Sequence, residues 1–291
     1  MQKSPCLAAL LFLFWGWMGC TAPAAHPSPE ENNATTDTWM PELPKGDGTL
    51  FIIGGGERPP QLVANLLDRM DSRDALVLVL PMASEEPDSA TWYARKMFVD
   101  AGATNVREFI LSAADSSATR LDSLNAAALI YLCGGDQSRL MEAIGHPSIK
   151  KQIHRSFERG AIVAGTSAGA AVMSGVMITG DQRLEPEYES TYRRLRANNA
   201  VYAEGLGLLP NAIVDQHFVE RSRYNRAITA LHDYPEQTVF GIGESTALVV
   251  TSTGMEAVGE GQIVVFRNGA LSASPDGRIE GDLSIEIWVG H

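Results

Sequence analysis

The sequence predicts an α/β fold: an open, mostly parallel sheet with helices on both faces, finished at its C-terminal end by a set of short antiparallel strands. Three observations carry this. Short apolar runs alternate with segments of helical spacing through the first part of the chain. Some of these runs are continuous, as in Ala75–Leu80 (ALVLVL), the pattern of strands covered on both faces. After residue 237 the rhythm changes to short runs split by glycine-containing turns.

Taken in order, Leu50–Ile53 is a strand that stops at Gly54-Gly55-Gly56. Pro59–Met70 is a helix, with Leu62, Val63, Leu66, Leu67 and Met70 at helical spacing. Ala75–Leu80 is a strand, Thr91–Ala101 a helix, and Val106–Leu111 and Ala127–Leu132 are strands. Pro147–Arg159 is a helix with Gly160 placed to cap its C-terminus. Ala161–Ala164 is a strand that runs into Gly165-Thr166-Ser167-Ala168-Gly169. Thr238–Ile242, Thr246–Val250, Met255–Val258 and Gln262–Phe266 are short strands, divided by turns such as Ser252-Thr253-Gly254 and Gly259-Glu260-Gly261. No internal repeat is seen. In open α/β sheets ligands bind at the carboxyl ends of strands. Three glycine-rich strand ends therefore qualify: Gly54–Gly56, Gly134-Gly135-Asp136-Gln137, and the run around Ser167.

The chain of 291 residues, 45% hydrophobic, suits one large domain or two small ones. Its net charge of −12 leaves no basic footprint for nucleic acid, which is excluded as a partner. The N-terminus reads as a targeting segment. Lys3 supplies a positive start, and Leu7–Trp17 is an apolar run too short for an ordinary membrane span. Gly19-Cys20 then resembles a bacterial lipobox, although Trp17 stands where an aliphatic residue is usual. The expectation is a lipoprotein-type signal peptide over 1–19, a lipid on Cys20 that anchors the chain to a membrane, and a flexible tether over 20–47. A single domain follows over 48–291. Such a protein is exported and sits on the periplasmic or extracellular face of the cell envelope. The tether is rich in Pro, Ala, Thr, Asn and Glu. Cys6 lies in the signal, so Cys133 is the one cysteine of the domain and no disulfide framework is expected. Cys133 follows Leu129-Ile130-Tyr131-Leu132 and reads as a buried strand residue.

Ser167 is the first candidate for chemistry. A strand that turns at once into a helix through Gly165-Thr166-Ser167-Ala168-Gly169 pushes the serine up at the turn, and small neighbours let the backbone bend that sharply. A serine hydroxyl needs a base, and the base needs an acid to orient it. His26 is in the tether, His291 is the last residue, His146 and His154 lie on polar helix faces, and His232 ends a helix beside Asp233. His217 alone follows a core strand, Ala212-Ile213-Val214-Asp215-Gln216, at the sheet edge expected to hold Ser167. Glu244 ends another apolar strand, where a carboxylate is costly unless partnered. Asp215 is the rival acid, and could equally bind substrate. The order serine, histidine, acid differs from that of the α/β-hydrolases, in which the acid precedes the histidine.

Four blocks together resemble the cyanophycinase family, within the wider group of serine exopeptidases that includes aspartyl dipeptidase. They are Gly165–Ala170, Gly134–Gln137 with Arg139-Leu140, Asp215–Phe218 with Arg221, Arg223 and Arg226, and Gly241–Ala247. The resemblance runs from about Leu50 to Phe266. It implies a flavodoxin-like αβα sandwich similar to class I glutamine amidotransferases, with Ser167 as nucleophile, His217 as general base and Glu244 as orienting acid. It also implies that Gln137, Asp215, Gln216, Arg221, Arg223 and Arg226 line the substrate pocket. The family's substrate has an aspartate backbone with arginine side chains, and β-aspartyl-arginine is released. Ala164, Gly243 and Arg58-Pro59-Pro60 depart from the family pattern.

An acyl-transfer reaction at Ser167 needs two donors for the oxyanion. The N–H of Ala168 is one, and the neighbouring strand end offers Gly135 or Asp136 as the other. Arg221, Arg223 and Arg226 suit a substrate carboxylate, and Asp215 a substrate guanidinium or amine. No metal-ligand spacing and no phosphate-binding loop stands out, so neither metal nor cofactor is expected. The partner is a peptide with aspartyl or β-aspartyl linkages, and a homodimer is compatible with this reading. The alternatives are an aspartyl or isoaspartyl dipeptidase and a non-catalytic binding lipoprotein.

Overall fold

The computed structural model describes residues 41–115, 118–185, 187 and 189–291. The signal segment, Cys20 and the tether as far as residue 40 lie outside the described residues. Residues 41–47, expected as the end of the tether, pack on the domain. Pro41 and Pro44 are buried, and the Asp47 amide donates to the Glu158 carbonyl.

The chain runs through β1 (Thr49–Ile53), α1 (Pro60–Leu67), β2 (Val77–Leu80), α2 (Pro87–Asp100), β3 (Val106–Glu108), α3 (Ala118–Ala126) and β4 (Leu129–Leu132). Next come α4 (Gln137–Ile144), α5 (Pro147–Glu158), β5 (Ile162–Thr166), α6 (Ala168–Ala171), β6 (Val176–Gln182), β7 (Ala200–Glu204), β8 (Ala212–Asp215) and α7 (Tyr224–Asp233). The remainder is β9 (Thr238–Ile242), β10 (Thr246–Thr251), β11 (Gly254–Gly259), β12 (Gln262–Asn268), β13 (Ser272–Ala273), β14 (Ile279–Glu280) and β15 (Leu283–Val289).

A seven-stranded sheet in the order β11-β10-β1-β5-β4-β2-β3 forms the centre, with β1, β5, β4, β2 and β3 parallel and β10 and β11 antiparallel. This is the mostly parallel α/β sheet that the apolar runs predict. Phe51, Ile53, Val77 and Val79 face α1 and α2, which cover them with Leu62, Leu66, Leu67 and Phe98. The other face carries Leu50, Ile52, Leu78, Ile130 and Val163 beneath residues of α4 and α5 such as Leu140, Ile149 and Ile153. Burial of each such side chain contributes roughly 1.5–3 kcal/mol.

The C-terminal strands divide between two sheets. β10 and β11 extend the main sheet, whereas β9 and β12 join β8 and β15 in a second, four-stranded sheet of order β15-β12-β9-β8. The strand before His217 therefore belongs to this second sheet and not to the sheet that carries Ser167, and it pairs with β9 in parallel. α7 packs Ala227, Ala230 and Leu231 against the far face of the second sheet. The glycine-rich run after β4 opens α4, a helix the reading above leaves unassigned. Asp136 is its N-cap and accepts from Ser138 N at 2.7 Å and Arg139 N at 3.1 Å.

Candidate active site

β5 lies between β1 and β4, and its carboxyl end delivers Ser167 at φ 53° and ψ −111°, a strained conformation for a residue with a side chain. The flanking glycines are required by space. A Cβ on Gly165 would lie 2.2 Å from the Gly169 carbonyl oxygen, and one on Gly169 2.2 Å from that of Leu132. The turn therefore closes only with glycine on both sides of the serine.

His217 Nε2 stands 2.9 Å from Ser167 Oγ, and its Nδ1 lies 2.5 Å from Glu244 Oε1. The three residues come from three different elements, the ends of β5, β8 and β9. The end of β1 holds them together through consecutive carbonyls. Ile53 O accepts the Ser167 amide at 3.0 Å, Gly54 O the His217 amide at 2.7 Å, and Gly55 O the amide of Ser245, next to Glu244, at 3.0 Å. The Gly54–Gly56 run makes room for this: a Cβ on Gly55 would fall 2.4 Å from His217 Nε2, and one on Gly56 2.5 Å from Glu244 Oε2. Burial lowers the His217 pKa below the ordinary histidine value, Glu244 opposes this, and the nearby Arg221 and Arg223 charges add to it. Burial thus favours the neutral imidazole, in which Nδ1–H donates to Glu244 and Nε2 faces the Ser167 hydroxyl.

A cavity of about 410 Å³ opens beside Ser167, lined among others by Gly135, Gln137, Thr179, Gln216 and the arginines Arg221, Arg223 and Arg226. Arg223 and Arg226 are buried. Arg226 Nε donates to Asp215 Oδ2 at 2.9 Å, its Nη2 also donates to Asp215, and Arg223 Nη1 lies 3.6 Å from Asp215 Oδ1. Arg223 Nη1 donates to Gln216 Oε1 at 2.6 Å. Asp215 is thus a buried anchor for two arginines. His217 Nδ1 is bonded to Glu244, whereas the Asp215 carboxylate, the rival acid, is bonded to Arg226. Gln137 lines the cavity, with its side-chain amide donating to the Ile178 carbonyl at 3.1 Å and also to that of Thr179.

Of the expected oxyanion donors, the Asp136 N–H donates to the Ala83 carbonyl at 2.8 Å and is already used. The N–H groups of Ala168 and Gly135 have no partner among the described residues. Gly135 has φ 142°, and a Cβ there would meet the Ala83 carbonyl oxygen at 2.1 Å, so this position too is closed to side chains.

Sequence reasoning missed Glu220, whose carboxylate accepts the Glu244 amide at 3.1 Å, and the β6 residues Thr179, Gly180 and Asp181 on the cavity wall. These residues fall where the pairing of β6 with β7 loses its register, between Ile178 and Gln182, which the spacing of the sequence does not mark. Among the described residues no group of three or more His, Cys, Asp or Glu is placed to hold a metal ion. No helix among them is long and apolar enough to cross a membrane.

An α/β protein that ends its central strand in a strained serine, backed by an imidazole that is itself bonded to a carboxylate, belongs with the serine-type peptidases and hydrolases. Comparison with known proteins narrows the class. Residues 50–258 match the model of peptidase family S51, and the chain belongs to that family. It is 32% identical over 225 residues to cyanophycinase of Synechococcus elongatus, covering 75% of this chain and 67% of that one. It is 29% identical over 240 residues to cyanophycinase of Geminocystis herdmanii, covering 79% and 85%. In fold it is similar to a peptidase from an acI-B1 Actinobacterium (TM-score 0.57, 22% identity, 76% of this chain and 92% of that one). It is also similar to a putative peptidase E from Listeria monocytogenes EGD-e (TM-score 0.50, 17% identity, 73% and 98%).

Proposed function

We propose that this peptidase is a serine exopeptidase that hydrolyses β-aspartyl, cyanophycin-like peptides through a Ser167–His217–Glu244 triad and an acyl-enzyme. The observation that carries the reading is the unbroken chain of contacts from Ser167 Oγ to His217 Nε2 at 2.9 Å and from His217 Nδ1 to Glu244 at 2.5 Å. Ser167 Oγ attacks the amide carbonyl as His217 takes its proton. The N–H groups of Ala168 and Gly135 stabilise the oxyanion, each worth about 3 kcal/mol of barrier. His217 then protonates the leaving amine, and a water activated by the same imidazole releases the acid. Glu244 steadies the imidazolium throughout. The arginine-lined cavity beside Ser167 supports a substrate with free carboxylates.

The test is incubation of the enzyme and its Ser167→Ala variant with cyanophycin and, separately, with β-aspartyl-arginine, α-aspartyl and neutral dipeptides. Products are read by mass spectrometry. Release of β-aspartyl-arginine from polymer, abolished in Ser167→Ala, is the expected result. Cleavage of dipeptides alone would assign an aspartyl or isoaspartyl dipeptidase instead, and no cleavage of any of them would leave a binding protein. The proposal includes export and lipidation at Cys20, supported by the Leu7–Trp17 run and Gly19-Cys20. Metabolic labelling with palmitate, lost in Cys20→Ala, tests it.

A further inference from the structure

The His217 ring is not packed on every side. It rests on Gly55, and together with Ser167 it lines a space of about 260 Å³ that also meets Tyr131 and Cys133 behind the serine. Packing therefore leaves the imidazole room to turn, and its bond to Glu244 sets its direction. The position of the base depends in turn on what holds Glu244.

Glu244 sits in a turn with little restraint of its own. Gly243 precedes it, a residue that leaves the backbone free and one of the points at which the chain departs from its family's pattern. Ser245 follows at φ 53°, a left-handed conformation that is unfavourable for a residue with a side chain. The turn is held by its amides. Gly243 N–H donates to the Gln262 carbonyl at 3.0 Å, and Ser245 N–H to the Gly55 carbonyl at 3.0 Å. The Glu244 N–H between them donates to a side chain instead, Glu220 Oε2 at 3.1 Å. The other Glu220 oxygen stands over Gly243, 3.7 Å from where a Cβ would lie.

Glu220 follows His217 in the same turn between β8 and α7, where His217 itself is at φ 47°. One short segment thus carries both the imidazole that meets the Glu244 carboxylate and the carboxylate that meets the Glu244 amide. A charged acceptor makes the second bond stronger than one to a neutral oxygen. We infer that Glu220 is a positioning residue of the proposed triad. It fixes the peptide between Gly243 and Glu244, and so keeps the Glu244 carboxylate aimed at His217 Nδ1. The inference rests on the reading of Ser167, His217 and Glu244 as a triad.

A fluorophosphonate probe tests it without any choice of peptide. Ser167 Oγ forms a bond to phosphorus, fluoride leaves, and His217 takes the hydroxyl proton. Labelling of Ser167 in the full chain is followed by intact mass across pH. Glu220→Ala should slow labelling about tenfold at neutral pH, because a carboxylate no longer aimed at the imidazole serves it poorly. The acid limb should move to lower pH, because Glu244 raises the His217 pKa, while Arg221 and Arg223, the other charges acting on the ring, are unchanged. Glu220→Gln keeps an acceptor oxygen and should restore the limb, and the rate to within about threefold. In a Glu244→Gln background Glu220→Ala should slow labelling by less than about twofold, since the two residues act in series. Glu220 is exposed, so these substitutions leave the domain folded. Wild-type rate and limb in Glu220→Ala, or its full effect persisting in Glu244→Gln, would overturn the role of Glu220 and spare the triad. Glu220→Gln as slow as Glu220→Ala would overturn it too, since the charge and not the acceptor would then matter. Unchanged labelling in Glu244→Gln, or no labelling of the wild type at Ser167, would overturn the triad reading and this inference with it.

Discussion

The Gly54 carbonyl accepts the His217 amide at 2.7 Å, so the base of the proposed triad hangs from the first strand of the domain. The carbonyls on either side hold Ser167 and Ser245. One short segment thus sets the spacing of three side chains whose own elements lie far apart in sequence. Gly55 and Gly56 allow the segment to pass beneath the His217 ring and the Glu244 carboxylate, and Gly54 lets it approach the Gly243 carbonyl.

Gly55→Ala follows from this arrangement. Its φ of 116° disfavours alanine, and the new methyl would collide with the His217 ring, 2.4 Å from Cε1. The ring must move away from Ser167. A displacement near 1 Å costs about 100-fold in rate, so kcat should fall by about that factor with KM little changed. Steady-state kinetics with circular dichroism as a folding control measure it; near-normal kcat would mean that the His217 position is not critical.

The pH profile provides a second expectation. His217 must be neutral to accept the serine proton, so kcat/KM falls on acidification as the free enzyme's His217 is protonated. Burial holds this limb below the ordinary histidine value. Glu244 raises the His217 pKa and Arg221 lowers it. Glu244→Gln should therefore move the limb to lower pH while reducing kcat by about 10⁴-fold, through loss of the tautomer and of imidazolium stabilisation. Arg221→Gln should move the limb to higher pH. Opposite displacements in the two variants are the signature to look for, and displacements of the same sign would reject His217 as the titrating base.

Much of this site was legible in the residues. Ser167 announced itself because a sharp strand-to-helix turn needs small neighbours, and Glu244 because a carboxylate at the end of an apolar strand needs a partner. The parallel sheet was legible because strands covered on both faces must be apolar throughout. What the sequence could not convey was which strands pair. β9 and β10 are adjacent in sequence and equally apolar, yet they enter different sheets. The role of Asp215 was hidden for a related reason. Its two arginine partners lie eight and eleven residues on, and only the packing of α7 over the second sheet shows that all three side chains are buried together.

Cys133 offers a chemical check on the space behind Ser167. Burial pushes its thiol up to about 12, with the Arg58 charge opposing more weakly. Almost no thiolate is present at pH 7.5, and the folded enzyme should leave Cys133 unmodified by iodoacetamide. Modification should appear once urea unfolds the domain, as followed by peptide mapping. Rapid labelling of the native protein would show that the space admits reagent and that the thiol is activated.

Asp215→Asn distinguishes the buried arginine-bound carboxylate from the one in the proposed triad. Asp215 is 1% exposed and sits between two arginines that are each 1% exposed. The amide would remove the carboxylate charge that both guanidinium groups engage at a buried position. Removing one partner of such a buried pair destabilises by about 3–5 kcal/mol. Urea unfolding should show a loss of this size, whereas Glu244→Gln, at a half-buried position, should unfold near the wild-type midpoint. Any Asp215→Asn enzyme that remains folded should retain the acid limb of wild type to a first approximation, because His217 is bonded to Glu244 and not to Asp215. A stable Asp215→Asn protein with the kinetics expected of Glu244→Gln would reverse the two roles and return Asp215 to the triad.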